Sequence, residues 1–155
     1  MPEIDLARIA DLVAGEDSAA DRLYRICAYL EAAVAHFNWV GIYYAKPQEQ
    51  MLILGPFVGA PTEHVRIPYG RGICGQVAVS MAPLIIQDVS QEDNYLACSL
   101  EVKSEIVVPI FYEQRFVGEL DIDSHFPQAF TNSDQLILEQ IATMIAPLVA
   151  RISNF

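Results

Sequence analysis

Positive charge is scarce in this sequence. Nine Lys and Arg stand against 20 Asp and Glu, for a formal net charge of −11. A free-standing nucleic-acid binder needs a basic surface to neutralise phosphates, so that class is excluded. The same sign opposes attraction to an anionic membrane. Cysteine is also sparse, with Cys27, Cys74 and Cys98 alone. They form no CxxC pair and no Cys/His cluster at zinc spacing, so no structural zinc is expected. The opening MPEIDLARIADL has no basic stretch running into an apolar core. The longest apolar runs are interrupted before membrane-spanning length. The expectation is a cytoplasmic protein that keeps its thiols reduced.

Apolar residues are plentiful, at 53% of 155, enough to build a real core in a single domain over residues 1–155. N-terminal helices are expected in 1–36, a sheet with pocket loops in 37–124, and a C-terminal helix in 131–153. Leu6, Ile9, Ala10 and Val13 recur at helical spacing. Ser18-x-x-Asp21 has the form of a capping box, and Leu23, Ile26, Cys27, Leu30 and Phe37 carry an apolar stripe through residues 18–36. NWVGIYY (38–44) and MLILGPF (51–57) read as a hairpin around a turn at KPQE. Residues 58–72 look like a loop, 74–80 a short helix, and PLIIQDV (83–89) a strand. Residues 90–103 have no clean period. SEIVVPIFY (104–112) and RFVGELDIDS (115–124) are strong strands joined at Glu113 and Gln114. Thr131-x-x-Asp134 is a second capping box. Behind it, Ile137, Ile141, Met144, Ile145, Leu148 and Ile152 form one apolar stripe, with Leu138, Ala142 and Val149 beside it. Two such faces suggest contact with a partner subunit, and Pro147 should loosen a turn. Hairpins dominate, so the architecture is α+β, an antiparallel sheet flanked by helices.

Chemistry concentrates in the strand RFVGELDIDS. Alternation sets Phe116, Gly118, Leu120 and Ile122 on one face, with Val117, Glu119, Asp121 and Asp123 on the other. A two-residue turn at 113–114 pairs Glu105 roughly with residue 122, which brings Glu105 near Asp121 and Asp123. Three converging acids suit an ammonium group. A metal is not expected there, because only carboxylates are on offer. Trp39 and Tyr43 share a strand face, either as core or as an aromatic wall for an apolar methyl or a cation. In GRGICGQ (70–76) a helix N-terminus would lower the pKa of Cys74 and free its thiolate. Cys98 lies in an irregular segment, where thiols tend to be reactive, while Cys27 sits in a helical stripe and reads as core. His36 and His125 read as surface residues.

The run of NWVGIYY, LGPFVG, RIPYGRGICG, QDV, LAC, SEIVVPIF and GELDIDS resembles the GAF-type free methionine-(R)-sulfoxide reductases over residues 38–124. The resemblance implies a GAF-like six-stranded antiparallel sheet with helices on both faces, a homodimer, no bound cofactor, and a thioredoxin-like reductant. It places the nucleophile on Cys98, its partner cysteine on Cys74, the substrate-binding carboxylates on Glu105, Asp121 and Asp123, and the pocket aromatic on Trp39, with Tyr43 beside it. The implied reaction is reduction of free methionine sulfoxide through a Cys98 sulfenic acid and a Cys74–Cys98 disulfide, with Glu105 protonating the departing oxygen. Two positions depart from the family pattern: His64 stands where a third cysteine is usual, and Ser99 follows the nucleophile in place of aspartate. The same residues leave two other readings open, a non-catalytic GAF ligand-binding module and a redox switch based on the cysteine pair.

Overall fold

The computed structural model describes residues 3–96 and 100–153. The chain begins with two helices, α1 (Leu6–Val13) and α2 (Ala19–Ala33). The Ser18 hydroxyl accepts a hydrogen bond from the Asp21 amide and starts α2, as the sequence predicts. Strands β1 (Trp39–Lys46) and β2 (Met51–Val58) then form a hairpin around a 3-10 turn at Pro47–Glu49. After them come β3 (Arg66–Pro68), α3 (Gly72–Ser80), β4 (Leu84–Ile86), β5 (Ser104–Tyr112), β6 (Arg115–Ser124) and α4 (Asn132–Ser153). The strands form one antiparallel sheet in the order β3-β2-β1-β6-β5-β4. This is the sheet that the resemblance implied. Strand β3 was read as loop, because three residues are too few to show alternation. Helix α3 starts two residues earlier than expected, and β4 is shorter than the 83–89 strand.

The sheet is covered on both faces. Between one face and α1, α2 and α4 lies the main core, built from Leu23, Ile26, Leu30, Val40, Ile42, Ile106, Leu120, Ile122, Leu138, Ile141 and Ile145. Between the other face and α3 lies a smaller cluster of Trp39, Tyr43, Ile67, Ile73, Cys74, Val77, Val107 and Phe116. The central strands β1, β5 and β6 are therefore buried on both sides.

Helix α4 is 22 residues long and apolar enough, by length and composition, to cross a membrane, more than the interrupted apolar runs suggested. Its apolar surface is used inside this chain. Leu138, Ile141, Ile145 and Val149 are fully buried, and Ile137, Met144 and Ile152 pack on the same core with α1 and α2. The second stripe, Leu138, Ala142 and Val149, is thus buried inside this chain, while Ile137, Met144 and Ile152 of the first are half-buried. The Thr131–Asp134 box is complete: the Asp134 amide donates to the Thr131 hydroxyl at 3.1 Å, and the Thr131 amide donates to Asp134 Oδ2 at 2.9 Å.

One irregularity sets the register at the centre of the sheet. In the β5–β6 hairpin Phe111 pairs with Phe116, but Ile110 pairs with Gly118. Val117 is the extra residue of a β-bulge. Beyond it Glu105 faces Asp123, where the two-residue turn alone predicted a partner near 122. The bulge also exchanges two neighbours. Phe116 joins the α3-side cluster and Val117 the main core, the reverse of simple alternation. Glu119, Asp121 and Asp123 remain on the α3 side, and the shifted register puts Glu105 on that side with them.

Gly118 fits this crowded position because it lacks a side chain. A Cβ there would lie 2.4 Å from the Tyr43 carbonyl oxygen and 3.1 Å from Val149. Backbone cannot yield as a flexible side chain can. Gly118→Ala is expected to cost about 2–4 kcal/mol, read as a lower urea midpoint at unchanged slope.

Candidate functional site

The α3 face of the sheet carries a ladder of unlike neighbours. Across β1 and β6, Trp39 pairs with Asp123, Gly41 with Asp121 and Tyr43 with Glu119. Across β6 and β5, Asp123 pairs with Glu105, Asp121 with Val107 and Glu119 with Pro109. The acids are deeply buried, with Glu119 0%, Asp121 2%, Asp123 1% and Glu105 5% exposed. The face was read correctly from the sequence. Its depth is left open by the sequence, because strand alternation looks the same whether α3 covers that face or water does.

Helix α3 lays its first turn over these acids. Cys74 points down at the sheet and donates to Asp121 Oδ2, with Sγ and oxygen 3.3 Å apart. Tyr43, His64, Ile67, Gly72, Ile73, Cys74, Leu96, Glu105 and Asp121 enclose a cavity of ≈ 10 Å³, about the room one water requires. The structure thus brings Cys74, Glu105, Asp121 and Tyr43 to one point. Asp123 and Trp39 share the face but do not line the cavity. The Trp39 ring lies across Gly41, where a Cβ would sit 2.4 Å from the indole. It stacks on Phe57 with centroids 5.5 Å apart, and its N–H donates to the Ala60 carbonyl. The Tyr43 hydroxyl donates to the His64 carbonyl at 2.9 Å and ties down the loop before β3. Cys98, Ala97 and Ser99 lie outside the described residues. The Cys74–Cys98 pair and the Ser99 departure therefore rest on sequence.

Burial reverses the expected behaviour of Cys74. Its pKa is pushed well above the ordinary value, first by loss of solvent and then by the charges of Asp121, Glu119 and Glu105. A helix N-terminus alone would act the other way, but it is outweighed first by burial and then by acids from strands remote in sequence. Asp121 is also raised by burial, partly offset by hydrogen bonding from Glu105 and Cys74. Glu119 is raised well above the carboxylate range by burial and then by Asp121. Cys27, fully buried in the main core, is pushed up to about 12 by desolvation, in keeping with a core residue.

Sequence reasoning missed Asn94, Leu96 and the use of Glu119. Asn94 binds the glycine-rich loop: Oδ1 accepts from the Gly72 amide and Nδ2 donates to the Gly70 carbonyl, each at 2.8 Å. Its own carbonyl accepts from Gln76 Nε2 at 3.0 Å. Leu96 packs where Gly72, at φ 65°, would otherwise carry a side chain. The segment leading to Cys98 is thereby held over Cys74. Nothing periodic in residues 90–103 marks these contacts. His36 and His125 lie elsewhere, 3.6 Å from Asp134 and 3.7 Å from Glu101 respectively.

The site is thus a buried thiol among acids on one face of a six-stranded antiparallel sheet. Comparison with known proteins specifies the class. The GAF domain model matches residues 16–148, and the chain belongs to the GAF family. It is 36% identical over 139 residues to the free methionine-R-sulfoxide reductase of Escherichia coli, covering 90% of this chain and 82% of that protein. It is 39% identical over 124 residues to protein YtsP of Bacillus subtilis, covering 80% and 76%. The free methionine-R-sulfoxide reductase of Neisseria meningitidis, solved in complex with its substrate, superposes with a TM-score of 0.87. That pair is 35% identical, covering 96% of this chain and 89% of the other.

Two outcomes follow from the buried charges. A carboxyl whose folded pKa is raised supports folding fully below its ordinary value, 4.5 for Glu119, and the support is lost as pH climbs through the folded value. Glu119→Met should therefore melt above the wild type at pH 8 by the equivalent of about 1–4 kcal/mol, with the gap closing toward pH 4.5. Thiol labelling gives the second. In Cys98→Ser the remaining Cys27 and Cys74 should react with a disulfide reagent at pH 8 at least about 100-fold more slowly than the unfolded chain.

Proposed function

We propose that this protein reduces free methionine-(R)-sulfoxide to methionine with Cys98 as nucleophile and Cys74 as the resolving thiol. The observation that carries the reading is the Cys74–Asp121–Glu105 contact at the floor of one cavity. It puts a thiol, a base and a proton donor together beneath the position that the resemblance assigns to the substrate. Glu105 hydrogen-bonds toward the charged form of Asp121, and a bond between two carboxyl groups needs a proton between them.

In the proposed sequence the Cys98 thiolate attacks the sulfoxide sulfur. The Glu105 proton passes to the sulfoxide oxygen, the resulting hydroxyl moves from the methionine sulfur to the Cys98 sulfur as the new S–S bond breaks, methionine leaves with the sulfur electron pair, and Cys98 is left as a sulfenic acid. Cys74 then gives its proton to Asp121, whose Oδ2 already accepts it in a hydrogen bond, and attacks the sulfenic sulfur. Water departs and a Cys74–Cys98 disulfide forms. A thioredoxin-like dithiol in the cytoplasm returns both thiols, its two electrons ending in the cysteines. Asp121 and Asp123 hold the substrate ammonium, while Trp39 and Tyr43 wall its methyl. A cavity of ≈ 10 Å³ admits water and not an amino acid. Binding therefore requires Leu96 and His64 to move outward, and the high pKa of Cys74 keeps the resolving thiol protonated until that happens.

The high Cys74 pKa also favours a second reading, a GAF module that binds an ammonium compound without turnover. Both are tested by incubating the protein with each diastereomer of free methionine sulfoxide, thioredoxin, thioredoxin reductase and NADPH. NADPH oxidation on the R form alone is expected, lowered by at least about 10³-fold in Cys98→Ser and unchanged in Cys27→Ser. Full activity in Cys98→Ser overturns the nucleophile, and binding without turnover in the wild type favours the second reading.

A further inference from the structure

The sequence offered only carboxylates at this site, and on that ground no metal was expected. The structure adds a thiol. Cys74 Sγ, one Glu105 oxygen and one Asp121 oxygen all lie within 4.8 Å of one another, and all three residues are buried. We propose that Cys74, Glu105 and Asp121 form a binding site for a divalent metal ion of the Zn²⁺ class, in the place where the substrate ammonium is received. The position of that ammonium rests on the reductase reading; the metal site does not.

Geometry and donor chemistry favour this class of ion. A tetrahedral zinc with one sulfur and one oxygen ligand separates them by about 3.6 Å, given Zn–S and Zn–O distances of about 2.3 and 2.1 Å. Here Cys74 Sγ and Asp121 Oδ2 are already 3.3 Å apart. The ligands come from α3, β5 and β6, so the site is built on packed elements and not on one loop. The cavity they line is ≈ 10 Å³, suited to one ion or one water. Among the described residues Asp121 Oδ1 has no hydrogen-bond partner, although Asp121 is 2% exposed and lines this cavity. Buried carboxylate oxygens are rarely left so. No lysine or arginine forms an ion pair with Asp121 among the described residues. Calcium and magnesium take six or more oxygens, which this cavity does not supply, whereas one thiolate with two carboxylates suits Zn²⁺ or Co²⁺. Three protein ligands leave a fourth position open to water. A bound ion would occupy the Cys74 sulfur and exclude the substrate ammonium, holding the protein idle with its resolving thiol protected.

Cobalt(II) is the probe. Titrated without oxygen into the reduced full chain, it should bind at one equivalent and give thiolate-to-cobalt absorption in the near ultraviolet with tetrahedral visible bands. These should persist in Cys27→Ser and Cys98→Ser and vanish in Cys74→Ser. Asp121→Asn, which keeps the thiol, should weaken binding by on the order of 10–100-fold. Circular dichroism of each variant distinguishes a lost ligand from a lost fold. Thiolate bands that survive in Cys74→Ser, or an absence of bands in the folded wild type, overturn the site. Free methionine sulfoxide should raise the apparent cobalt Kd. Cobalt bands that depend on Cys74 but ignore methionine sulfoxide uphold the metal site and overturn the placement of the ammonium there.

Discussion

Val117 is one residue more than the β5–β6 ladder can pair, and the chemistry of the α3 face depends on that surplus. Opposed residues of adjacent strands point to the same side of a sheet, so a slip of one residue changes which side chains meet. Without the bulge Glu105 would sit opposite Ile122 in the core. With it, Glu105, Asp121 and Asp123 share one face, and Cys74 comes down onto them from α3. The bulge also frees Phe116 to pack with Tyr69 at the far end of that face. The bulge separates a stretch of β6 that serves packing from one that gathers acids.

Acids gathered in that way cannot all be charged. Glu119 and Asp121 lie side by side in a space that excludes water, and both hold protons more tightly than exposed carboxyls do. Burial first, and then the same acids, raise the pKa of Cys74. The site gathers acids of raised pKa around a thiol whose pKa is raised as well. An ammonium ion or a metal would reorganise it in the same way, by taking the place of protons. Stability is sacrificed for this, since an apolar residue at position 119 would fold more easily.

Much of this arrangement was readable from residues alone. The capping boxes at Ser18 and Thr131 and the hairpin strands announced themselves by local chemistry, and the faces of β1 followed from alternation. The acids stood out because charge rarely interrupts a strand this apolar. What stayed hidden was set by contacts distant in sequence. FVGE fits a straight strand as well as a bulged one. Cys74 at a helix start looks activated until strands β5 and β6 bring carboxylates against it. The second stripe of α4 looked like a docking face because its cover comes from the sheet, with Val149 beside Gly118 and Ala142 beside Pro109 and Phe111, and not from its own neighbours in the chain. Asn94 and Leu96 act through the glycine-rich loop and show no period of their own.

Trp39 has a consequence of a different kind. It is the single tryptophan of the chain, held against Phe57 with its ring across Gly41 and its neighbour across the strand being Asp123. Its environment combines a fixed aromatic stack with the carboxyl cluster of the proposed site. The chain therefore carries its own optical gauge. With no other indole to obscure it, the emission of this one ring would follow a change of charge on the floor beside it.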